Sequence, residues 1–243
     1  MTSESVVRVE NVSVKYDRNL VLDQVSIDVT RGSVFALLGR NGAGKSSLMR
    51  CLLGLQKPTS GRVLLFGEDV WLHRARLSSR AAYVPENSDA PGQLRVRDVA
   101  AFHESMYPTW DRAAVRARLD RMGVPEAGTI SSLSKGQRAL CTLALALGSR
   151  PELLVLDDPT LGLDVVARND FFSDFIGELA ERGTTVILTT HDLAGVEGIA
   201  DRVGILQGSR LALDEEVEKL KAERGQSLEE IFTDTTRGPG RQS

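Results

Sequence analysis

The chain has 243 residues, of which 42% are hydrophobic and 26% charged, so it is a globular protein large enough to bury a substantial core. A formal net charge of -3 argues against nucleic acid as a partner, because bulk binding to phosphates needs a basic surface. No apolar run approaches the roughly 20 residues that span a membrane, and the first residues lack a secretory signal. We therefore expect a chain that does not cross a membrane itself.

The first part of the chain predicts strands around a single helix. Residues 6–16 and 21–29 alternate apolar and polar side chains, as two half-buried antiparallel strands do. Residues 33–39 form an uninterrupted apolar run, which is typical of a strand covered on both faces. A glycine-rich turn leads into residues 45–55, whose apolar side chains have helical spacing, and residues 60–69 return to strand.

The middle of the chain changes character between about residues 85 and 136. Two amphipathic segments, 96–106 and 111–123, are bounded by proline and glycine breaks, so we expect a helical insertion here.

A regular alternation of elements follows the insertion. The pattern predicts a helix over residues 135–149, a strand ending at Asp157, a helix near 165–182 and a strand over 184–190. This β-α-β order implies a parallel sheet with helices on both faces.

The C-terminal part predicts a hairpin around Gly208 and Ser209, followed by a charged segment. We expect one domain over residues 1–215 and a charged, helical tail over 216–243, with disorder from about residue 236.

The segment GRNGAGKS, from Gly39 to Ser46, matches the phosphate-loop pattern G-x-x-x-x-G-K-[ST] and lies between a predicted strand and a predicted helix. Glycines let backbone N–H groups and the helix N-terminus face a β-phosphate. Lys45 would reach the β- and γ-phosphates, and the Ser46 hydroxyl would bind Mg²⁺. The residues expected to bind nucleotide are Gly39, Asn41, Gly42, Ala43, Gly44, Lys45, Ser46 and Ser47. The fold class is therefore α/β: a phosphate-loop NTPase core with a mostly parallel sheet, an antiparallel β subdomain and a helical insertion.

Two adjacent aspartates end the predicted strand LLVLD. Neighbouring carboxylates are costly unless they meet a metal, a hydrogen bond or a positive partner. In phosphate-loop NTPases a second strand ends in an aspartate that holds Mg²⁺, which is the role we expect for Asp157. Asp158 would face the γ-phosphate and orient or deprotonate the attacking water. The alternative is that both carboxylates point into water at a strand end.

The segment LSKGQ opens the apolar helix after the insertion. Ser134 is placed as an N-cap, and Gly136 leaves backbone N–H groups free for an anion. Alone this pattern is common, but with the other motifs in order the chain resembles the ATP-binding subunit of an ABC transporter over about residues 5–215. The resemblance implies that Ser134, Gly136 and Gln137 contact the nucleotide of a second subunit.

The resemblance assigns roles to residues outside these motifs. Tyr16 falls where the family places a ring that stacks on adenine; the alternative is a core tyrosine at a strand end. His191 matches the switch histidine that contacts the γ-phosphate and the attacking water, and Asp164 closes a loop that contacts the opposite subunit.

Three positions depart from the family pattern. Glu86 stands where a glutamine is usual, Asp158 where a catalytic glutamate is usual, and Lys135 replaces the first signature glycine. The catalytic residues that the resemblance implies are Asp158, His191, Glu86 and Lys45, and the metal ligands are Ser46, Asp157 and Glu86.

By this resemblance the function is ATP hydrolysis that powers transport. It implies ATP and Mg²⁺ as cofactors, a second ATPase subunit (the same chain or a related one), separate membrane-spanning subunits and a location on the cytoplasmic face of the membrane. The departures, with YPTW at residues 107–110 and SLEEIF in the tail, are similar to bacterial exporters. Two alternatives stay open. One is a non-transport ABC ATPase, although no heptad run lies between Lys45 and Asp157, and the other is a regulator that binds ATP and turns over slowly.

Overall fold

The computed structural model describes residues 4–86, 90–160 and 183–237, together with positions 163, 168, 176 and 179. In chain order, the described strands are β1 (Ser5–Tyr16), β2 (Asn19–Thr30), β3 (Val34–Gly39), β4 (Ser60–Leu65), β5 (Glu68–Asp69), β6 (Ala81–Val84), β7 (Leu153–Asp157), β8 (Thr185–Thr189), β9 (Arg202–Gln207) and β10 (Arg210–Glu216). The described helices are α1 (Lys45–Leu52), α2 (Val70–Leu77), α3 (Val96–Met106), α4 (Arg112–Arg121), α5 (Lys135–Gly148), α6 (Leu193–Glu197), α7 (Val217–Arg224) and α8 (Leu228–Arg237).

The strands form two sheets. Six of them pair in the order β10-β9-β3-β8-β7-β6, parallel throughout except for the β9–β10 hairpin. The others form an antiparallel sheet in the order β2-β1-β4-β5. The α/β class, with a mostly parallel sheet and an antiparallel subdomain, is therefore confirmed, and the parallel strands bring their carboxyl ends to one edge.

The core lies on both faces of the six-stranded sheet, which explains the continuous apolar run of β3. Phe35 and Leu37 face one cluster, shared with α1 and the antiparallel sheet, whereas Ala36 and Leu38 face a second cluster shared with α5. Successive side chains of a strand point to opposite faces, so both sets must be apolar. Burying a large apolar side chain contributes about 1.5–3 kcal/mol, and Phe35, Leu37 and Leu38 are buried, as is the smaller Ala36.

The insertion has an apolar cluster of its own. Helices α3 and α4 and the 3₁₀ turn Ile130–Ser132 supply it together with the buried face of α5. The two helices predicted from the amphipathic segments are both present, and α5 connects this unit to the sheet through residues such as Leu143 and Leu147.

The charged tail folds back onto the main core. Val217 and Leu220 of α7 and Leu228 and Ile231 of α8 are buried in the cluster that covers one face of the sheet. The boundary near residue 215 stays a prediction.

Sequence patterns missed three elements, namely α2, β6 and the five-residue helix α6, and they extended α1. Helix α2 has a weak apolar stripe and a non-helical residue at His73, and β6 has only four residues, so neither gave a periodic signal. Helix α1 ends at Leu52, earlier than predicted, because Gly54 takes a positive φ of 66° and the following turn bonds back to Arg50.

Several expectations lie outside the described residues. They are the loop position Asp164, the C-terminal residues 238–243 and, apart from three single positions, the predicted helix near 165–182. Within the described ranges, no helix is both long and apolar enough to cross a membrane.

Candidate nucleotide site

A cavity of about 560 Å³ opens at the carboxyl edge of the parallel strands. The glycine-rich loop and the start of α1 contribute Asn41, Gly42, Gly44, Lys45, Ser46 and Ser47 to its lining. Strand ends contribute Tyr16, Glu86, Asp157, Asp158 and His191. The structure thus brings together predicted residues that are spread over most of the chain.

The glycine-rich loop can cradle a phosphate only because its backbone takes conformations that favour glycine. Gly42 and Gly44 have φ values of 80° and 104°, and α1 begins directly after Gly44. A Cβ at Gly44 would lie 2.6 Å from Leu22 Cδ2 and 2.8 Å from the Val21 carbonyl oxygen. The first residues of α1, whose N–H groups have no acceptor within the helix, line the cavity, which suits a bound anion.

Lys45 carries the positive charge of the cavity. Its ammonium donates to the Gly39 carbonyl oxygen at 2.7 Å. Burial lowers the pKa of Lys45, whereas the nearby carboxylates of Asp158, Asp157 and Glu86 favour the charged form. One cation thus stands among three carboxylates, and a phosphate in the cavity would compete with them for it.

Asp157 is a buried carboxylate with a fixed orientation. It is 6% exposed, its Oδ1 accepts from the Thr189 hydroxyl at 2.6 Å, and its Oδ2 accepts from the Tyr83 hydroxyl at 3.4 Å. Burial raises the pKa of Tyr83 to about 12, and the Asp157 charge adds to the increase, so this hydroxyl stays a donor.

Asp158 sits one residue on but in a different environment. Its φ is 47°, and its N–H donates to the carbonyl and hydroxyl oxygens of Thr189 at 3.1 and 3.0 Å. Its Oδ2 lies 3.6 Å from His191 Nε2. Burial raises the pKa of Asp158, with smaller increases from Glu86 and Asp157 and opposing effects from His191 and Lys45. The adjacent carboxylates therefore point to different partners.

Tyr16 is not a core residue. It ends β1, is 43% exposed and lines the cavity, so the alternative of a core tyrosine at a strand end is wrong.

The segment around Ser134 lies elsewhere. The predicted N-cap is present: the Ser134 hydroxyl oxygen accepts from Gln137 N–H at 3.1 Å, and the Gln137 side-chain oxygen accepts from Ser134 N–H at 3.1 Å. The Gln137 amide also donates to the Gly123 carbonyl at 2.9 Å, which fastens the turn to the end of α4. None of Ser134, Gly136 and Gln137 is among the described residues that line the cavity.

Thr189 and Tyr83 are site residues that the sequence did not reveal. Both bond to Asp157 from neighbouring strands, since β7 lies between β6 and β8 and Asp157 pairs with Thr189. In the sequence, both appear only as polar residues within apolar strands. Their contact with Asp157 depends on the order of the strands in the sheet, which the local sequence does not give.

The fold and the cavity agree with a comparison against known families. The model described as ABC transporter matches residues 22–161, more than half of the chain. The chain belongs to the ABC transporter family.

Relatives of the ABC transporter family match almost the whole chain. The ABC transporter ATP-binding protein YtrB of Bacillus subtilis (strain 168) is 29% identical over 218 residues, 90% of this chain and 74% of YtrB. The Nod factor export ATP-binding protein I of Sinorhizobium fredii (strain NBRC 101917 / NGR234) is 34% identical over 221 residues, 86% of this chain and 62% of that protein. A solved ATP-binding subunit of an ABC transporter superposes with a TM-score of 0.86 at 26% identity, covering 95% of this chain and 99% of that one. The chain thus has the ABC cassette fold and is an ATP-binding ATPase of this family.

Proposed function

We propose that the chain is the ATP-hydrolysing subunit of an exporter, working as a head-to-tail pair beneath separate membrane-spanning subunits on the cytoplasmic face of the membrane. The observation that carries this proposal is the convergence of Lys45, Glu86, Asp157, Asp158 and His191 on one cavity beside the N-terminus of α1. One ammonium and the N–H groups at the start of α1, together with carboxylates that have different partners, suit a bound nucleoside triphosphate and an attacking water.

Nucleotide binding divides between the two ends of the cavity. The loop N–H groups and Lys45 hold the β- and γ-phosphates, and the exposed ring of Tyr16 stacks on adenine. Stacking on an aromatic ring contributes about 1–3 kcal/mol per base.

The oxygen donors of the site fit Mg²⁺. The Ser46 hydroxyl and the Asp157 carboxylate, with Glu86 near them, line the same cavity. Among the described residues, no group of three or more acidic, histidine or cysteine side chains is arranged to hold a metal ion by itself, and Mg²⁺ shared with phosphates needs only one or two carboxylates. When bound, Mg²⁺ would supply positive charge to the phosphate oxygens.

Hydrolysis is assigned to Asp158 and His191. Water attacks the γ-phosphorus in line with the bond to the β-phosphate, Asp158 accepts the proton of the water, and ADP leaves with the bond electrons. His191, 3.6 Å from Asp158, orients the water and the γ-phosphate, and Lys45 balances charge on the phosphates.

In the part of the chain that the structure describes, the Ser134 turn does not line the nucleotide cavity. We therefore place the Ser134 turn of one subunit against the cavity of the other, with Ser134 and Gly136 contacting the γ-phosphate. Gln137 contributes by holding Ser134 in place, since its amide bonds to Ser134 N–H and to the Gly123 carbonyl.

We propose that the membrane subunits bind in a groove of about 470 Å³ between the sheet and the insertion. Its lining is mostly apolar and includes Leu55, Val99 and Tyr107, and Leu55 is 65% exposed. An exposed apolar groove fits a short helix of a partner chain. We propose export as the direction of transport because the relative from Sinorhizobium fredii is named a Nod factor export protein.

The experiment joins the purified chain with a membrane-spanning subunit that co-purifies with it. Leu55→Glu puts a charge into the groove and should abolish co-purification and the rise in ATPase rate that the membrane chain produces. Leu94→Glu is the matched control, because Leu94 is 43% exposed and does not line the groove. Equal assembly by both variants would contradict the docking assignment, and a wild-type chain without ATPase activity would favour the slow regulator.

A further inference from the structure

Tyr16 forms a hydrogen bond with Gln56, a residue that belongs to none of the sequence motifs. Its hydroxyl donates to the side-chain oxygen of Gln56 at 2.6 Å and lies 3.3 Å from the Ser47 hydroxyl. Gln56 is not among the described residues that line the cavity. Because Tyr16 is 43% exposed, packing alone does not fix its ring, and the hydroxyl bond supplies the constraint.

The segment that carries Gln56 is itself held at both ends. The Gln56 N–H donates to the Arg50 carbonyl of α1 at 3.2 Å. Three residues on, Thr59 N–H donates to the Ser13 carbonyl at 2.8 Å, and the Thr59 hydroxyl accepts from Lys15 N–H at 3.0 Å. The acceptor for Tyr16 is therefore anchored to the phosphate-binding helix and to β1, the strand that Tyr16 ends.

We infer that Gln56 is a positioning residue for base recognition: its hydrogen bond holds the Tyr16 ring in the orientation in which it stacks on adenine. The inference rests on the proposed stacking role of Tyr16. A ring that is already held loses less rotamer freedom when the base arrives. Immobilising one side chain changes affinity by about 2- to 12-fold. Phosphate binding through Lys45 does not use this bond, so only ligands with a base should depend on it.

The test compares two ligands that share their phosphates. ADP carries a base and inorganic pyrophosphate does not, and neither is turned over. Gln56→Met keeps the length of the side chain but removes the strong acceptor. It should weaken the binding of ADP by about 2- to 12-fold in calorimetric titration with Mg²⁺ and leave the affinity for pyrophosphate unchanged. In steady state, KM for ATP should rise by the same factor with kcat unchanged.

Two further variants isolate the bond. Tyr16→Phe keeps the ring but removes the donor, so it should show the same loss, and the double variant Gln56→Met with Tyr16→Phe should lose no more than either alone. Gln93→Met is the control for a surface glutamine, because Gln93 lies on the exposed insertion. It should bind both ligands as wild type does.

The outcomes separate this inference from the proposed function. If Tyr16→Ala weakens ADP while Gln56→Met does not, Tyr16 stacks without help from Gln56 and the inference is overturned. Equal losses of ADP and pyrophosphate in Gln56→Met would also overturn it, because the change would then act on the phosphate loop through Ser47. If Tyr16→Ala leaves ADP binding unchanged, the stacking role fails and the inference fails with it.

Discussion

Thr189→Val removes one hydroxyl from beneath the paired aspartates while keeping the shape of the side chain. Thr189 is fully buried, and its hydroxyl donates to Asp157 Oδ1 at 2.6 Å and accepts from Asp158 N–H at 3.0 Å. The Asp158 N–H keeps its bond to the Thr189 carbonyl, so the main loss is the bond to a charged carboxylate. Such bonds contribute about 1.5–3 kcal/mol, which is the expected fall in the free energy of unfolding at pH 7.

The functional effect should exceed the effect on stability. Loss of a partner that orients a metal ligand typically changes metal affinity or activity by about 10- to 100-fold, so the Mg²⁺ concentration for half-maximal ATPase activity should rise by that factor.

Thr185→Val is the matched control: Thr185 is buried in the same strand, and its hydroxyl accepts from Gly32 N–H at 3.0 Å, at the opposite edge of the sheet. Urea unfolding should show a loss of about 1 kcal/mol for this control, with an unchanged Mg²⁺ requirement. If Thr189→Val also leaves the Mg²⁺ requirement unchanged, its bond to Asp157 is structural only.

Three further changes test other parts of the molecule. Ser134→Arg should abolish ATPase activity yet leave ATP binding to the monomer nearly intact in calorimetry; loss of binding would refute a site built from two chains. Lys45→Ala should remove most nucleotide affinity or turnover, since it deletes the charge that meets the phosphates, and wild-type kinetics would refute that role. Hydrogen bonds from Arg80 and, to a smaller extent, Arg31 lower the pKa of Glu152 from 4.5 to about 2. These bonds therefore stabilise the fold fully above pH 4.5, and their contribution is lost as the pH falls towards 2. Glu152→Gln should therefore lower the urea midpoint at pH 7 and differ less and less from wild type between about pH 4.5 and 2; a constant difference would refute it.

The sequence predicted the chemical groups of the site better than their contacts. Lys45, Asp157 and His191 each follow a predicted parallel strand, and parallel strands end at one edge, so their convergence could be expected. The order β3-β8-β7-β6 could not be, because nothing in the local pattern says that β7 lies between β6 and β8. Tyr83 and Thr189 therefore emerged as partners of Asp157 only in the folded chain.

The tail and Gln137 show the same limit. The sequence predicts a charged, helical tail, and Leu220 and Ile231 are buried in it, since a few apolar residues suffice where a packed face is available. The resemblance places Gln137 at a nucleotide, and the fold shows its amide bonded to Ser134 and Gly123. For the tail the missing information was which side chains face the core, and the contact of Gln137 with the nucleotide of a second subunit stays a prediction.

The most direct test of the two-chain ATPase is Asp158→Asn, measured by gel filtration with MgATP alongside ATP hydrolysis. Asparagine tolerates the positive φ of 47° at this position, so the change removes the base and keeps the backbone. Aspartate is about 1 Å shorter than glutamate here, a misplacement that can cost on the order of a hundredfold, so the wild-type basal rate should already be slow. We expect Asp158→Asn to bind ATP, nearly stop hydrolysis and elute as a dimer, whereas Asp157→Asn should lose magnesium-dependent binding and stay monomeric. Hydrolysis by Asp158→Asn at the wild-type rate would contradict the division of labour between the two aspartates.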